Sequence, residues 1–241
     1  METEIKKISR WGSLIRFAAG AIVFWLIQFA FQYFWLSEGE GVAIALVRSF
    51  AFAGTTLVGV ALFSSVVFRF VPRTAQYWRF RRHAGVSGFI FVLLHALLVL
   101  YSYFNFDFGL IFSSWNPLVN PIIFGVIALV ILAAMAATST DGMMQRLTPR
   151  RWKFLHRFVY VAYLSAVFHF LSMNPPALNN PPGYLLLGIT AAVIAGHIYL
   201  FFRTVSKKHF RSPGTLVGFV IIIGGLAIGY YVYQAYWANL F

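Results

Sequence analysis

Seven apolar runs, each long enough to cross a bilayer, alternate with short polar segments: Ser13–Trp35, Val42–Phe70, Ala84–Phe104, Val119–Ala137, Lys153–Met173, Gly183–Phe202 and Gly214–Trp237. A helix rises ~1.5 Å per residue, so ~20 residues span ~30 Å of hydrocarbon. Strands of a transmembrane β-barrel are about half as long and alternate in polarity, and these runs do neither. The pattern predicts an all-α polytopic transmembrane helix bundle of about seven helices. The first run follows Lys6, Lys7 and Arg10. Its apolar stretch is too long for a signal-peptide core and no A-x-A site follows, so it reads as a retained helix.

Composition agrees with a lipid solvent. Of 241 residues, 60% are hydrophobic and 10% charged, against about 25% charged in an ordinary soluble domain. Mean hydropathy is +0.77. The absence of cysteine excludes disulfides, cysteine-ligated zinc and iron–sulfur clusters. A metal bound by this chain relies on His, Met or carboxylates.

The net charge of +13 would suggest nucleic acid in a soluble protein, but here the basic residues cluster between apolar runs. Lys6, Lys7 and Arg10 precede the first run. Arg69, Arg73, Arg79, Arg81 and Arg82 lie between the second and third, Arg146, Arg150, Arg151 and Lys153 before the fifth, and Arg203, Lys207, Lys208 and Arg211 between the sixth and seventh. The intervening loops are acidic or neutral, with Glu38, Glu40 and Asp107. This is the positive-inside pattern of a membrane protein and excludes nucleic-acid binding; it predicts a cytoplasmic N-terminus and an external C-terminus. Trp35, Trp115 and Trp237 then fall at external helix ends, as an aromatic belt does. The small-residue pairs Gly214–Gly218 and Gly225–Gly229 in the seventh run permit close packing.

Five of the six histidines, His83, His95, His156, His169 and His197, lie in or at the edge of these runs, while His209 sits in a basic loop beside Lys207 and Lys208. A histidine within a membrane helix is costly unless paired or coordinated. His156 and His169 stand ~20 Å apart along the fifth run, and His83 and His95 ~18 Å apart along the third. Both runs point the same way, so each offers imidazoles at two heights, and two imidazoles approaching from opposite sides are the axial ligands of a six-coordinate heme. The competing readings are zinc, whose ligands usually cluster within one turn, and a proton relay, for which no Asp or Glu lies inside any run.

Arg81-Arg82-His83-Ala84-Gly85-Val86 leading to His95, Thr138-Ser139, and Trp152-Lys153-Phe154-Leu155-His156-Arg157-Phe158-Val159-Tyr160 leading to His169 resemble the ferric reductase-like transmembrane domain family. Within it, the order of motifs is similar to bacterial heme-binding subunits that serve a periplasmic methionine sulfoxide reductase. The resemblance spans Val42 to Phe202. It implies a six-helix heme-binding core within residues 13–203, flanked by a cytoplasmic segment, 1–12, and by a basic loop with an additional helix, 204–241. It implies one or two b-type hemes, with His95 and His169 on the outer one and His156 on an inner one. The partner of His156 is His83 or, on the descending sixth run, His197, with His83 placed first.

Heme propionates need cations near the membrane surfaces. Arg81, Arg82 and Arg157 are candidates on the cytoplasmic side, although positive-inside topology is the stronger reading of each, and Arg48 on the outer side either pairs with a propionate or snorkels. The expected role is a cytochrome b subunit of the bacterial inner membrane rather than a complete enzyme. Electrons come from a separate flavoprotein, a bound flavin or a quinol, and go to an external periplasmic reductase or ferric iron. The segment Asn105–Pro117 is the expected docking surface. The alternative is a heme-free membrane scaffold or transporter.

Overall fold

The computed structural model describes residues 2–36, 41–117, 119–173, 180–205, 220–228, 230 and 234. Most of the seventh run, the loop around 174–179, Glu38, Glu40, Lys207, Lys208, His209, Arg211 and Trp237 lie outside the described residues. The chain folds as an all-α polytopic membrane bundle. Its elements are α1 (Glu2–Phe31), continued by a π-helical turn at Gln32–Leu36, α2 (Val42–Phe70), α3 (Trp78–Ser102), α4 (Phe108–Ile111), α5 (Ile122–Ala137), α6 (Asp141–Arg146), α7 (Pro149–Leu155), α8 (Val159–Met173) and α9 (Pro181–Val205). Among the described residues, five segments are long and apolar enough to cross a membrane: Gly12–Leu36, Val42–Phe70, Trp78–Ser102, Pro149–Met173 and Pro181–Arg203. The shorter apolar α5 packs among them against α8.

Helix α2 is the axis of the bundle. Two thirds of its apolar window is buried (67%), against 11–39% for the other four spans. Its crossing with α3 is closed by two glycines. A β-carbon on Gly54 would stand 2.9 Å from Val92 N and 3.0 Å from Gly88 O, and one on Gly88 would stand 2.9 Å from Gly54 O. Backbones approach this closely only where side chains are absent, the usual device for tight packing in lipid. On the far side of α2, Gly59 lies against Tyr163 and Gly196 of α9 against Val66. Helix α1 packs on α2 and α3 through Trp25, stacked on Phe50 at 4.6 Å and donating Nε1–H to Ser49 Oγ at 3.1 Å. The helical stretch 220–228 reaches this core: Gly224 abuts Leu164 and Gly225 abuts Ile194.

The boundaries differ from expectation in two informative places. Helix α3 starts at Trp78 rather than Ala84, so Arg79, Arg81, Arg82 and His83 form its first turns; arginine is a good helix former whose stem lies along apolar surface. The fifth run is not one helix: α7 ends at Leu155, His156–Phe158 form a 3₁₀ turn, and α8 resumes at Val159. Thr148 caps α7 with Pro149 at its first position, and Thr140 caps α6.

Candidate functional site

His95 on α3 and His169 on α8 meet across the bundle, their ring centroids 6.4 Å apart and their planes at 66°. Each ring is held from behind by a backbone carbonyl. His95 donates Nδ1–H to Val47 O at 2.9 Å, and His169 donates Nδ1–H to Pro121 O at 3.0 Å. A carbonyl only accepts, so in both neutral rings the proton sits on Nδ1 and Nε2 keeps its lone pair. This is how metal-bound histidines are oriented and made more basic. Val47 belongs to α2; Pro121 begins α5, its ring fixing φ at the helix entrance. Gly125, one turn into α5, leaves room for the His169 ring, since a β-carbon there would stand 3.2 Å from Nδ1 and Cε1.

The spacing fits two ligands on opposite sides of one metal. Two metal–nitrogen bonds of ~2 Å, with part of each ring added, put the centroids ~6 Å apart. Among the described residues no group of three His, Asp or Glu comes together. The pair therefore suits a metal whose other positions are filled by a macrocycle, and the two axial positions of an iron porphyrin fit these residues.

The basic end is built differently. His156 stacks on Trp152, with centroids 4.0 Å apart, and its Nε2 lies 3.4 Å from Thr138 Oγ1. The Thr138 hydroxyl points at the Ala134 and Met135 carbonyls, so toward His156 it accepts, and Nε2 carries the ring's proton. Trp152 Nε1–H donates to Thr138 O, so Thr138 ties the end of α5 to α7, while Ser139 Oγ donates back to Met135 O of α5 itself. His156, Trp152, Arg81, Arg82, Met135 and Met144 are among the residues around a cavity of about 300 Å³ between α2, α3, α5 and α8.

Neither expected partner reaches His156. The His83 ring packs on Phe17 of α1, with centroids 5.8 Å apart, and does not line the cavity. The cause is helical phase: α3 is unbroken from Trp78, and the step from His83 to His95 turns the side chain by ~120°. His197 is buried with both nitrogens engaged, Nδ1–H donating to Val193 O and Nε2 accepting the Tyr160 hydroxyl, each at 2.9 Å. Among the expected cations, Arg82 pairs with Asp141 of α6 and Arg81 lines the cavity. Arg157 lies in the 3₁₀ turn, half-buried, and Arg48 follows Val47 on α2. Sequence reasoning missed Val47 and Pro121, which act through main-chain carbonyls that any residue type supplies. Gly125 carried a weak signal, a lone glycine in an apolar helix.

Comparison with known proteins gives the family of the chain. The family model described as "Ferric reductase like transmembrane component" matches residues 50–167, a stretch containing His95 and His156 and stopping just short of His169. The heme-binding subunit MsrQ of protein-methionine-sulfoxide reductase from Rhodospirillum rubrum is 38% identical over 118 residues, 48% of this chain and 55% of that protein, so the match spans about half of that relative's length. The subunit of the same name from Polaromonas naphthalenivorans is 30% identical over 193 residues, 77% of this chain and 86% of that protein. That from Bordetella pertussis is 32% identical over 177 residues, 71% and 82% respectively. No solved structure matches significantly. The chain belongs to the ferric reductase-like transmembrane family, in the group of protein-methionine-sulfoxide reductase heme-binding subunits.

Proposed function

We propose that the chain is a b-type cytochrome subunit that holds one heme between His95 and His169 and passes electrons across the membrane to an external acceptor. The observation that carries this reading is the pair of imidazoles 6.4 Å apart, each with Nδ1–H on a backbone carbonyl. When bound, heme iron alternates between ferric and ferrous states and carries one electron at a time. The residues supply the rest. His95 and His169 would hold the heme iron from two facing helices, and a metal so held by two imidazoles would serve electron transfer rather than oxygen chemistry. Val47 O and Pro121 O fix the tautomers and raise ligand basicity. Arg48, one residue from Val47, is the candidate for a propionate on that side.

The basic loops face the cytoplasm of a bacterial cell by the positive-inside rule, which puts the His95–His169 pair toward the external leaflet. Electrons enter at the basic end from a separate donor, a flavoprotein or a quinol. The cavity beside His156, with Trp152 stacked on that ring and Arg81 and Arg82 in its wall, is where a flavin or quinone ring is received. The acceptor is a periplasmic methionine sulfoxide reductase, the protein with which the relatives are named; ferric iron is the other candidate.

The test is a reduced-minus-oxidised spectrum of the purified protein, expressed with adequate heme. A sharp b-type α band, lost in both His95→Ala and His169→Ala, supports the proposal. The same preparation, reduced and mixed with the sulfoxide reductase, should reoxidise; failure to do so while ferric iron reoxidises it would assign the other acceptor.

A further inference from the structure

Asn120 is among the few buried polar side chains in the bundle (9% exposed), and its hydrogen bonds all go to main chain. Nδ2 donates to Ile111 O at 2.7 Å and to Ser114 O at 3.1 Å, and Oδ1 accepts from Ile122 N at 3.2 Å. Its own amide donates to Asn116 O at 2.9 Å, and its carbonyl accepts from Ile123 N at 3.1 Å. One side chain therefore fastens the segment after α4 to the first turn of α5. The next residue is Pro121, whose carbonyl receives His169 Nδ1–H.

The alignment of that carbonyl depends on this fastening. Pro121 has no N–H of its own to anchor it, so its position is set by its ring, by the Phe124 N–H that its carbonyl also accepts at 3.1 Å, and by the residue before it. Gly125 leaves the space this imidazole occupies, since a β-carbon there would stand 3.2 Å from Nδ1 and Cε1. The His169 ring is thus held between one wall of α5 and one carbonyl at its entrance, and Asn120 holds that entrance in place. Removing a group that orients a metal-binding histidine typically costs ~10- to 100-fold in metal affinity or activity.

We infer that Asn120 is a positioning residue for His169: by anchoring the entrance of α5 it sets the strength of the Pro121 O···H–Nδ1 bond and, through it, the basicity of the ligand. This rests on the proposed heme between His95 and His169. A weaker bond makes the imidazole a poorer donor, which disfavours the ferric state and raises the midpoint potential.

The experiment is a redox titration of the purified holoprotein, wild type against Asn120→Ala, followed by the α band, with hydrogen exchange of the 103–120 segment as a second readout. The expected result is an upward shift equivalent to about tenfold in the ferric-to-ferrous ratio, which is ~59 mV for one electron, with faster exchange in the segment. Asn120→Leu removes the same side-chain hydrogen bonds at similar volume and without a change of charge; it is expected to shift in the same direction, and it decides the matter if the alanine variant does not accumulate. Ser114→Ala, which removes only the Ser114 Oγ contact to Asn116 N, should leave the potential unchanged. An unshifted potential in Asn120→Ala or Asn120→Leu, with the α band intact, overturns the inference, even if the variant is less stable. Absence of an α band in the wild type would instead overturn the proposed heme site.

Discussion

Gly125 stands against the face of His169 so closely that a β-carbon would approach Nδ1 and Cε1 at 3.2 Å and Cγ at 3.3 Å. A β-carbon at that distance is tighter than ordinary van der Waals contact, and the ring cannot easily swing away because the same Nδ1 is held by Pro121 O. Gly125→Ala is therefore expected to tilt the imidazole and lower the heme-to-protein ratio, and Gly125→Val to abolish binding. The pyridine hemochrome assay measures both.

The α2–α3 crossing makes a different demand. At Gly54 the atoms a side chain would meet include Val92 N and Gly88 O, main chain that cannot rotate away. Gly54→Ala should lower stability by about 1–3 kcal/mol, the usual cost of overpacking, visible as a lower unfolding midpoint in detergent.

Tyr160→Phe removes the hydroxyl that donates to His197 Nε2. The buried acceptor is left unpaired, at a cost of ~1–3 kcal/mol. Neither residue lies at the His95–His169 pair, so stability should fall while the α band and heme content stay at wild-type values. Loss of heme in this variant would return His197 to consideration as a ligand.

The Arg82–Asp141 pair ties α3 to α6, with side chains 29% and 63% exposed. Exposed ion pairs contribute ~0–1 kcal/mol. Asp141→Asn should therefore change the unfolding midpoint little, and rising salt should erase what difference there is.

The bundle was legible because hydropathy length and loop charge report directly on a lipid solvent. His95 and His169 were legible because both lie deep in apolar runs, where an imidazole is costly without a partner. The inner pairing was harder to read because helical rise gave the height of His83 and not the direction of its ring. With α3 beginning at Trp78, its direction is fixed toward Phe17 of α1. The 3₁₀ turn at His156 and the carbonyl supports from Val47 and Pro121 leave no pattern in side-chain identity. The Thr148-Pro149 start of α7 did carry a readable capping signal.

The central claim is that His95 and His169 together grip one heme. Its most direct test is the heme-to-protein ratio and α band of five single alanine variants, at His83, His95, His156, His169 and His197, measured side by side. One heme per chain is expected in the wild type, lost at positions 95 and 169 and retained at 83, 156 and 197. Retention of an unchanged band in His95→Ala or His169→Ala would contradict it.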